Sequence, residues 1–258
     1  LSNILEATDA ECIKENRPFP PTEVDTGRRH QHIITRMASL RHYDPLKLIS
    51  TFDVPWDQKQ DLATFRGSLT GLVNHPELQY SDKFDKLTNV NKCQALPRCR
   101  LVYNTAESKL VDTKLVYLNG LVPSTVRGKN LVGDEMSYEK ALSYKAIIMI
   151  EGNDVSTGLK WALNSNSVVL TQKPTKSSWL MEELLQPWVH YVPLNEELTD
   201  VNDKMQWVLE HQVEAQEIAH RASLWIRDLL FHPAAERDDE IIHEEMIRRY
   251  RNHFYEDT

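Results

Sequence analysis

The chain has 258 residues, with 30 Lys and Arg against 38 Asp and Glu, a formal charge of −8 with neutral His. Hydrophobic residues make up 41% and charged residues 26%, with only 8 Gly, which excludes a disordered or collagen-like chain and leaves material for a core. The acidic balance argues against a domain that holds nucleic acid by bulk charge, and no apolar run approaches the roughly 20 residues of a membrane helix.

The opening Leu1-Ser2-Asn3-Ile4-Leu5-Glu6 has no basic patch followed by an apolar stretch, so no signal peptide is expected. Residues 16–27 hold three prolines and predict an irregular segment, followed by a helical or mixed stretch from His30 to Leu40. Residues 72–96 are polar with little periodicity and read as a surface excursion. Cys12, Cys93 and Cys99 are an odd, small set, which predicts reduced thiols and a cytoplasmic setting.

Order is clearest from Met136 onward. Ser137 to Lys145 predicts a short helix, and the apolar run Ala146-Ile147-Ile148-Met149-Ile150 predicts a strand buried on both faces. Ser156 to Asn164 reads as a helix, Ser167 to Leu170 as a second buried strand, Trp179 to Leu185 as a helix and His190 to Leu194 as a third strand. Val201, Met205, Val208 and Leu209 mark the next helix, and Ala215, Ile218, Ala219, Ala222, Ile226, Leu229 and Leu230 another. Asp238 to Phe254 carries an apolar stripe among charges. Alternating strands and helices predict a doubly wound α/β layer with a parallel sheet, which binds ligands beyond the carboxyl ends of its strands.

Two segments carry chemistry. After the first buried strand, Gly152-Asn153-Asp154-Val155-Ser156-Thr157-Gly158 gives a glycine turn and two hydroxyls at a helix start, a cradle for an anion such as a diphosphate, with Lys160 one turn further in. The plainer reading is an ordinary capped helix. The second segment, Arg66-Gly67-Ser68-Leu69-Thr70-Gly71, is a compact donor-rich stretch suited to phosphate oxygens, or a structural turn. His30 and His32 share one side of an extended segment, but no carboxylate or cysteine cluster stands near them, and no metal site is expected. No Gly-x-Gly-x-x-Gly turn is present, which argues against a dinucleotide-dependent dehydrogenase.

Lys145 to Leu170 and Trp179 to Leu194, with its Pro187-Trp188-Val189-His190-Tyr191-Val192-Pro193 run, resemble glycosyltransferase family 90. So do Trp56-Asp57-Gln58-Lys59, the 65–71 block, Arg98-Cys99-Arg100-Leu101-Val102, Leu110-Val111-Asp112 and Val213 to Ala219. The resemblance implies a GT-B architecture of two Rossmann-type domains with the site in the cleft between them. It implies inverting transfer from a UDP-sugar, with no cofactor and no obligatory metal. By that reading residues 1–58 form a small acceptor-side domain completed by the helix 238–258, and residues 59–237 form the donor domain. Arg66, Gly67, Ser68 and Thr70 would meet the phosphates or sugar, Gly152 to Thr157 would cradle the diphosphate, and Glu182 would hold ribose hydroxyls.

Two positions depart from the family pattern. Gly158 stands where Rumi-type members carry an arginine, so Lys160 or another arginine would have to substitute. Pro18 stands where the family's aspartate base falls. Inverting transfer needs a carboxylate to take the acceptor proton, and Asp53 ranks first, with Asp25 and Asp57 behind it. By the same reading Asp154 would face the sugar instead. The expected function is xylosyl or glucosyl transfer, xylose favoured by likeness to a short microbial and viral branch, onto a hydroxyl of a glycan or glycoprotein. The protein is expected to act as a monomer, with no nucleic-acid or membrane partner. The alternative is a degenerate nucleotide-binding module of the same fold.

Overall fold

The computed structural model describes residues 40–80 and 82–254. In chain order they form α1 (Leu40–Phe52), β1 (Gln60–Gly67), α2 (Pro76–Gln79), α3 (Lys83–Lys86), α4 (Asn89–Ala95), α5 (Pro97–Thr105) and β2 (Val111–Leu115). A two-stranded ribbon of β3 (Thr125–Val126) and β4 (Lys129–Asn130) follows, then α6 (Tyr138–Leu142), β5 (Tyr144–Met149), α7 (Leu159–Leu163), β6 (Val168–Thr171) and β7 (Val192–Pro193). The chain ends in α8 (Val201–Glu210), α9 (Gln212–Phe231) and α10 (Ala235–Phe254). It divides into two compact units, one of residues 1–36 with 241–258 and one of residues 37–240. The second unit holds the sheet.

Its centre is a five-stranded sheet in the order β2-β1-β5-β6-β7, every pairing parallel. Parallel strands bury both faces, and the core accordingly falls on two sides. On one face Ala63, Phe65, Ala146 and Ile148 pack with Leu101 and Val102 of α5 and with Met205 and Val208 of α8. On the other, Ile147 and Val169 pack with Leu46 and Ile49 of α1, Leu159 and Leu163 of α7, and Ile226 of α9. This is the doubly wound layer that the sequence predicts. The described residues contain one such layer.

The apolar strands β5 and β6 lie where expected. Residues 60–67 form a strand that neither alternation nor an apolar run announces, and residues 111–115 form a further strand, with Val111, Thr113 and Leu115 buried in alternation. Arg66 and Gly67 therefore stand inside β1 rather than in a loop. Residues 72–96 are not a mere excursion: they hold three short helices, and Phe84 and Cys93 are buried. Residues 179–185 form only a single tight turn, Glu182–Leu184. Met181 sits at φ 55°, a left-handed conformation that no right-handed helix accommodates, and Glu182 turns inward to a buried lysine.

Cys93 and Cys99 are joined by a disulfide, their Cα atoms 5.0 Å apart. Leu96-Pro97 breaks the chain between α4 and α5 and folds the two cysteines together, both fully buried. The expectation of reduced thiols is thereby corrected, and with it goes the ground for a reducing, cytoplasmic setting. Cys12 lies outside the described residues. Among the described residues no helix is long and apolar enough to cross a membrane.

Candidate functional site

The strand order fixes where a ligand can enter. From β1 the chain moves to β2 at one edge; from β5 it moves through α7 to β6 on the other side. The two connections leave in opposite directions and open a crevice at the carboxyl ends of β1 and β5, the topological switch point of an α/β sheet. The two donor-rich segments singled out in the sequence are the loops that bound this crevice.

They are stitched together. Gly71 N–H donates to Asn153 Oδ1 (2.7 Å), and Asn74 Nδ2 donates to the Gly152 carbonyl (2.6 Å). Arg98, from α5, spans both: its Nη1 donates to Ser68 O (3.0 Å), and its Nε and Nη2 donate to Ile150 O (3.1 and 2.9 Å). Gly152 is required by this packing. A Cβ there would lie 2.3 Å from Thr70 Oγ1 and 2.9 Å from the Arg98 guanidinium carbon.

Below these loops lies a cleft of about 330 Å3, lined by Arg66, Gly67, Arg98, Tyr138, Met149, Ser156, Thr157, Gly158 and Trp161. Arg98 is the electrostatic centre of its upper end. Burial lowers its pKa, its hydrogen-bond partners are main-chain carbonyls, and among the described residues no carboxylate forms an ion pair with it. A buried cation without a counter-charge is costly, and an incoming anion removes that cost. In the sequence Arg98 stands only within a block of family resemblance. Its one local signal is Pro97, which starts α5 and aims the next side chain.

Arg66 behaves differently. Its Nη2 binds both oxygens of Asp112 (2.9 and 3.0 Å), and its Nη1 donates to the Phe65 and Asp112 carbonyls. Only its Nε is buried without a partner. Tyr144 also donates to Asp112; burial and that hydrogen bond push its phenol up to about 12. Arg66 thus reaches the cleft with its charge already neutralised.

The predicted helix at Ser156 begins only at Leu159, because Ser156 to Gly158 form the preceding turn. Gly158 caps it without a side-chain bond. Ser156 and Thr157 line the cleft but do not cap the helix. Asn153 and Gly152 are used in stitching the loops, while Asp154 and Val155 sit at the loop tip, where Asp154 Oδ1 accepts the Val155 N–H. Lys160 does not reach the cleft. It is fully buried against Glu182 (Nζ to Oε1 2.8 Å), whose carboxylate also accepts the Ser178 N–H and hydroxyl. Both oxygens of Glu182 are engaged, so the expected ribose contact is replaced by a clamp on residues 178–182. Removing one partner of such a pair costs about 3–5 kcal/mol.

Asp53 is also elsewhere. Its Oδ1 accepts from Lys59 Nζ and the Val54 N–H, and its Oδ2 from the Asn166 N–H. Lys59 precedes β1 and Asn166 precedes β6, so Asp53 ties the amino ends of the strands. The eight residues of β1 separate it from the crevice by roughly 20 Å at strand rise. The base role expected of it does not fit that place. Asp57 also precedes β1, while Asp25, Pro18, His30 and His32 lie outside the described residues. Among the described residues no group of three metal-ligating side chains occurs.

A doubly wound parallel sheet with a glycine turn and an arginine unpaired by any carboxylate among the described residues defines an α/β protein whose switch point presents a cation at the carboxyl edge. The chain belongs to glycosyltransferase family 90, whose family model matches residues 47–233. It is 37% identical over 230 residues to O-glucosyltransferase LpsA of Dichelobacter nodosus, covering 78% of this chain and 70% of that protein. It is 29% identical to human protein O-glucosyltransferase 1, over 68% of this chain and 39% of that one. A protein of invertebrate iridescent virus 6 is 24% identical, over 66% of this chain and 15% of that protein. The chain thus spans well under half the length of the human and viral relatives.

Proposed function

We propose that the protein transfers a glycosyl group from a UDP-sugar to a hydroxyl of a glycan or glycoprotein, with inversion and without a cofactor or obligatory metal. The observation that carries this reading is Arg98: a half-buried guanidinium at the switch point with no carboxylate partner among the described residues, beside a glycine where a Cβ would press on it and on Thr70. In the reaction the acceptor oxygen bonds to the anomeric carbon as the bond to the diphosphate breaks. The acceptor proton passes to a carboxylate and the electron pair stays on UDP. Arg98, with the hydroxyls of Ser156 and Thr157, offsets the charge that develops on the leaving diphosphate. The relatives named as O-glucosyltransferases favour glucose, and xylose rests on the sequence resemblance alone; the two donors stand level. The second Rossmann-type domain, an acceptor-side unit and the monomeric state belong to this proposal; the expected acceptor-side span 1–58 loses α1, whose Leu46 and Ile49 pack on the sheet.

Calorimetric titration of UDP, with and without EDTA, tests it. Arg98→Met is expected to weaken UDP binding about 10–100-fold, the worth of charge-assisted hydrogen bonds to a phosphate, with EDTA without effect. Unchanged affinity in a folded Arg98→Met protein removes the guanidinium from the donor site.

A second reading rests on a specific observation: among the described residues no Asp or Glu lines the cleft. A protein that binds UDP and UDP-sugars, yet neither transfers nor hydrolyses them, is a nucleotide-binding module.

A further inference from the structure

The cleft has a second end, unlike the first. Trp161 of α7 and Tyr138 at the start of α6 form an edge-to-face pair, ring centroids 5.2 Å apart. Both line the same cleft as Arg98. Neither the Trp161 indole N–H nor the Tyr138 hydroxyl has a hydrogen-bond partner among the described residues; Trp161 is half-buried and Tyr138 is exposed at the cleft. Both groups can donate to a ligand in the cleft, and Tyr and Trp are suited to surfaces where one end is apolar and the other wet. Met136, Ala141, Ile147 and Met149 complete this end with apolar surface.

Gly158 fixes where the pair stands relative to the phosphates. A Cβ at 158 would lie 2.9 Å from Met149 Sδ and 3.3 Å from Trp161 Nε1. Met149 fills most of the space beside Gly158, and the indole edge stands next to it. The indole abuts the turn that also carries Ser156 and Thr157.

We infer that Trp161 and Tyr138 form the wall that receives the pyranosyl ring of the donor and sets which sugar is accepted. The inference rests on the donor-site reading above. In a nucleoside-diphosphate sugar the glycosyl group is bonded directly to the distal phosphate, whereas the base is held off by the ribose. A wall immediately next to the phosphate turn matches the sugar. Its chemistry matches too: an apolar aromatic surface faces the C–H side of a pyranose, and the two unpaired donors face its hydroxyl oxygens. A site built to hydrogen-bond a hydroxyl rejects a sugar lacking it far more strongly than a purely apolar site does.

The test compares UDP with UDP-glucose and UDP-xylose by calorimetry on the full chain, using Trp161→Phe and Tyr138→Phe, which keep the rings and remove the donors. The melting temperature of each variant checks folding. Each variant is expected to bind UDP within twofold of the parent and to bind its preferred UDP-sugar about tenfold more weakly, narrowing the gap between the two sugars. An equal loss for UDP and UDP-sugar assigns the pair to the nucleotide and overturns the inference. No loss for either does the same. If the parent protein binds neither UDP nor any UDP-sugar, the donor-site reading itself falls, and the inference with it; parent binding with indifferent variants sinks the inference alone.

Discussion

Two arginines lie within hydrogen-bonding distance of one crevice, and their surroundings give them opposite duties. Arg66 is held by Asp112 and two carbonyls, so its charge is spent within the fold. Arg98 touches only carbonyl oxygens and keeps its charge for a ligand. Asp53 shows the same logic reversed: a carboxylate favoured as a base from its sequence context proves to be the counter-charge of Lys59. Burial lowers the Lys59 pKa while Asp53 opposes that fall. Asp53→Asn should therefore cost stability, about 3 kcal/mol for a broken buried pair, and leave kcat unchanged. Denaturant titration and initial rates decide it; wild-type stability with abolished transfer would return Asp53 to the reaction. At this scale Gly152 is legible in the sequence, because a glycine after an apolar run has few other reasons to be there. Arg98 is not, because nothing in Pro-Arg-Cys-Arg shows that α5 aims it across two loops.

The elements divide along the same line. β5 and β6 are readable because burial on both faces demands continuous apolar residues. β1 is equally central, yet it begins Gln60-Asp61 and contains Thr64 and Arg66. Its polar groups are satisfied by Lys145 (2.5 Å to Asp61), Ser143 and Asp112, partners distant in sequence. The turn at 182–184 is misread as a helix because its sequence has helical spacing while Lys160, a distant residue, turns Glu182 inward. Just beyond it, the Gln186–Tyr191 turn depends on a neutral imidazole: His190 Nδ1 accepts the Gln186 N–H (3.0 Å). Burial, then the nearby Arg221 charge, lowers the His190 pKa below its ordinary 6.5. The unfolded chain thus binds the proton first, so the turn's contribution is complete above pH 6.5 and falls as pH drops through the folded value. The melting temperature should decline on acidification from pH 7 to 5, with a shallower slope in His190→Gln. Identical slopes would show that the ring does not titrate with folding.

At the scale of the molecule, the fold places its chemistry by topology. A sheet whose connections diverge between β1 and β5 makes a crevice there whatever its loops contain, and this chain furnishes that crevice with an arginine, a glycine and an aromatic wall. Arg98 in turn is delivered by α5, whose first turn is fastened to α4 through Cys93 and Cys99. Both sulfurs are sealed in the core. A dithiol reductant can attack them only when the α4–α5 segment opens, so the appearance of labelled thiols in native buffer measures how often that segment opens. On the proposed donor site, in which Arg98 of the same segment meets the diphosphate, saturating UDP should slow the labelling in proportion to its occupancy; labelling as fast as in the unfolded chain, with or without UDP, would mean that the segment is never closed. The bond thus serves as a clock for the donor site, one that can be read without following catalysis or knowing which sugar is transferred.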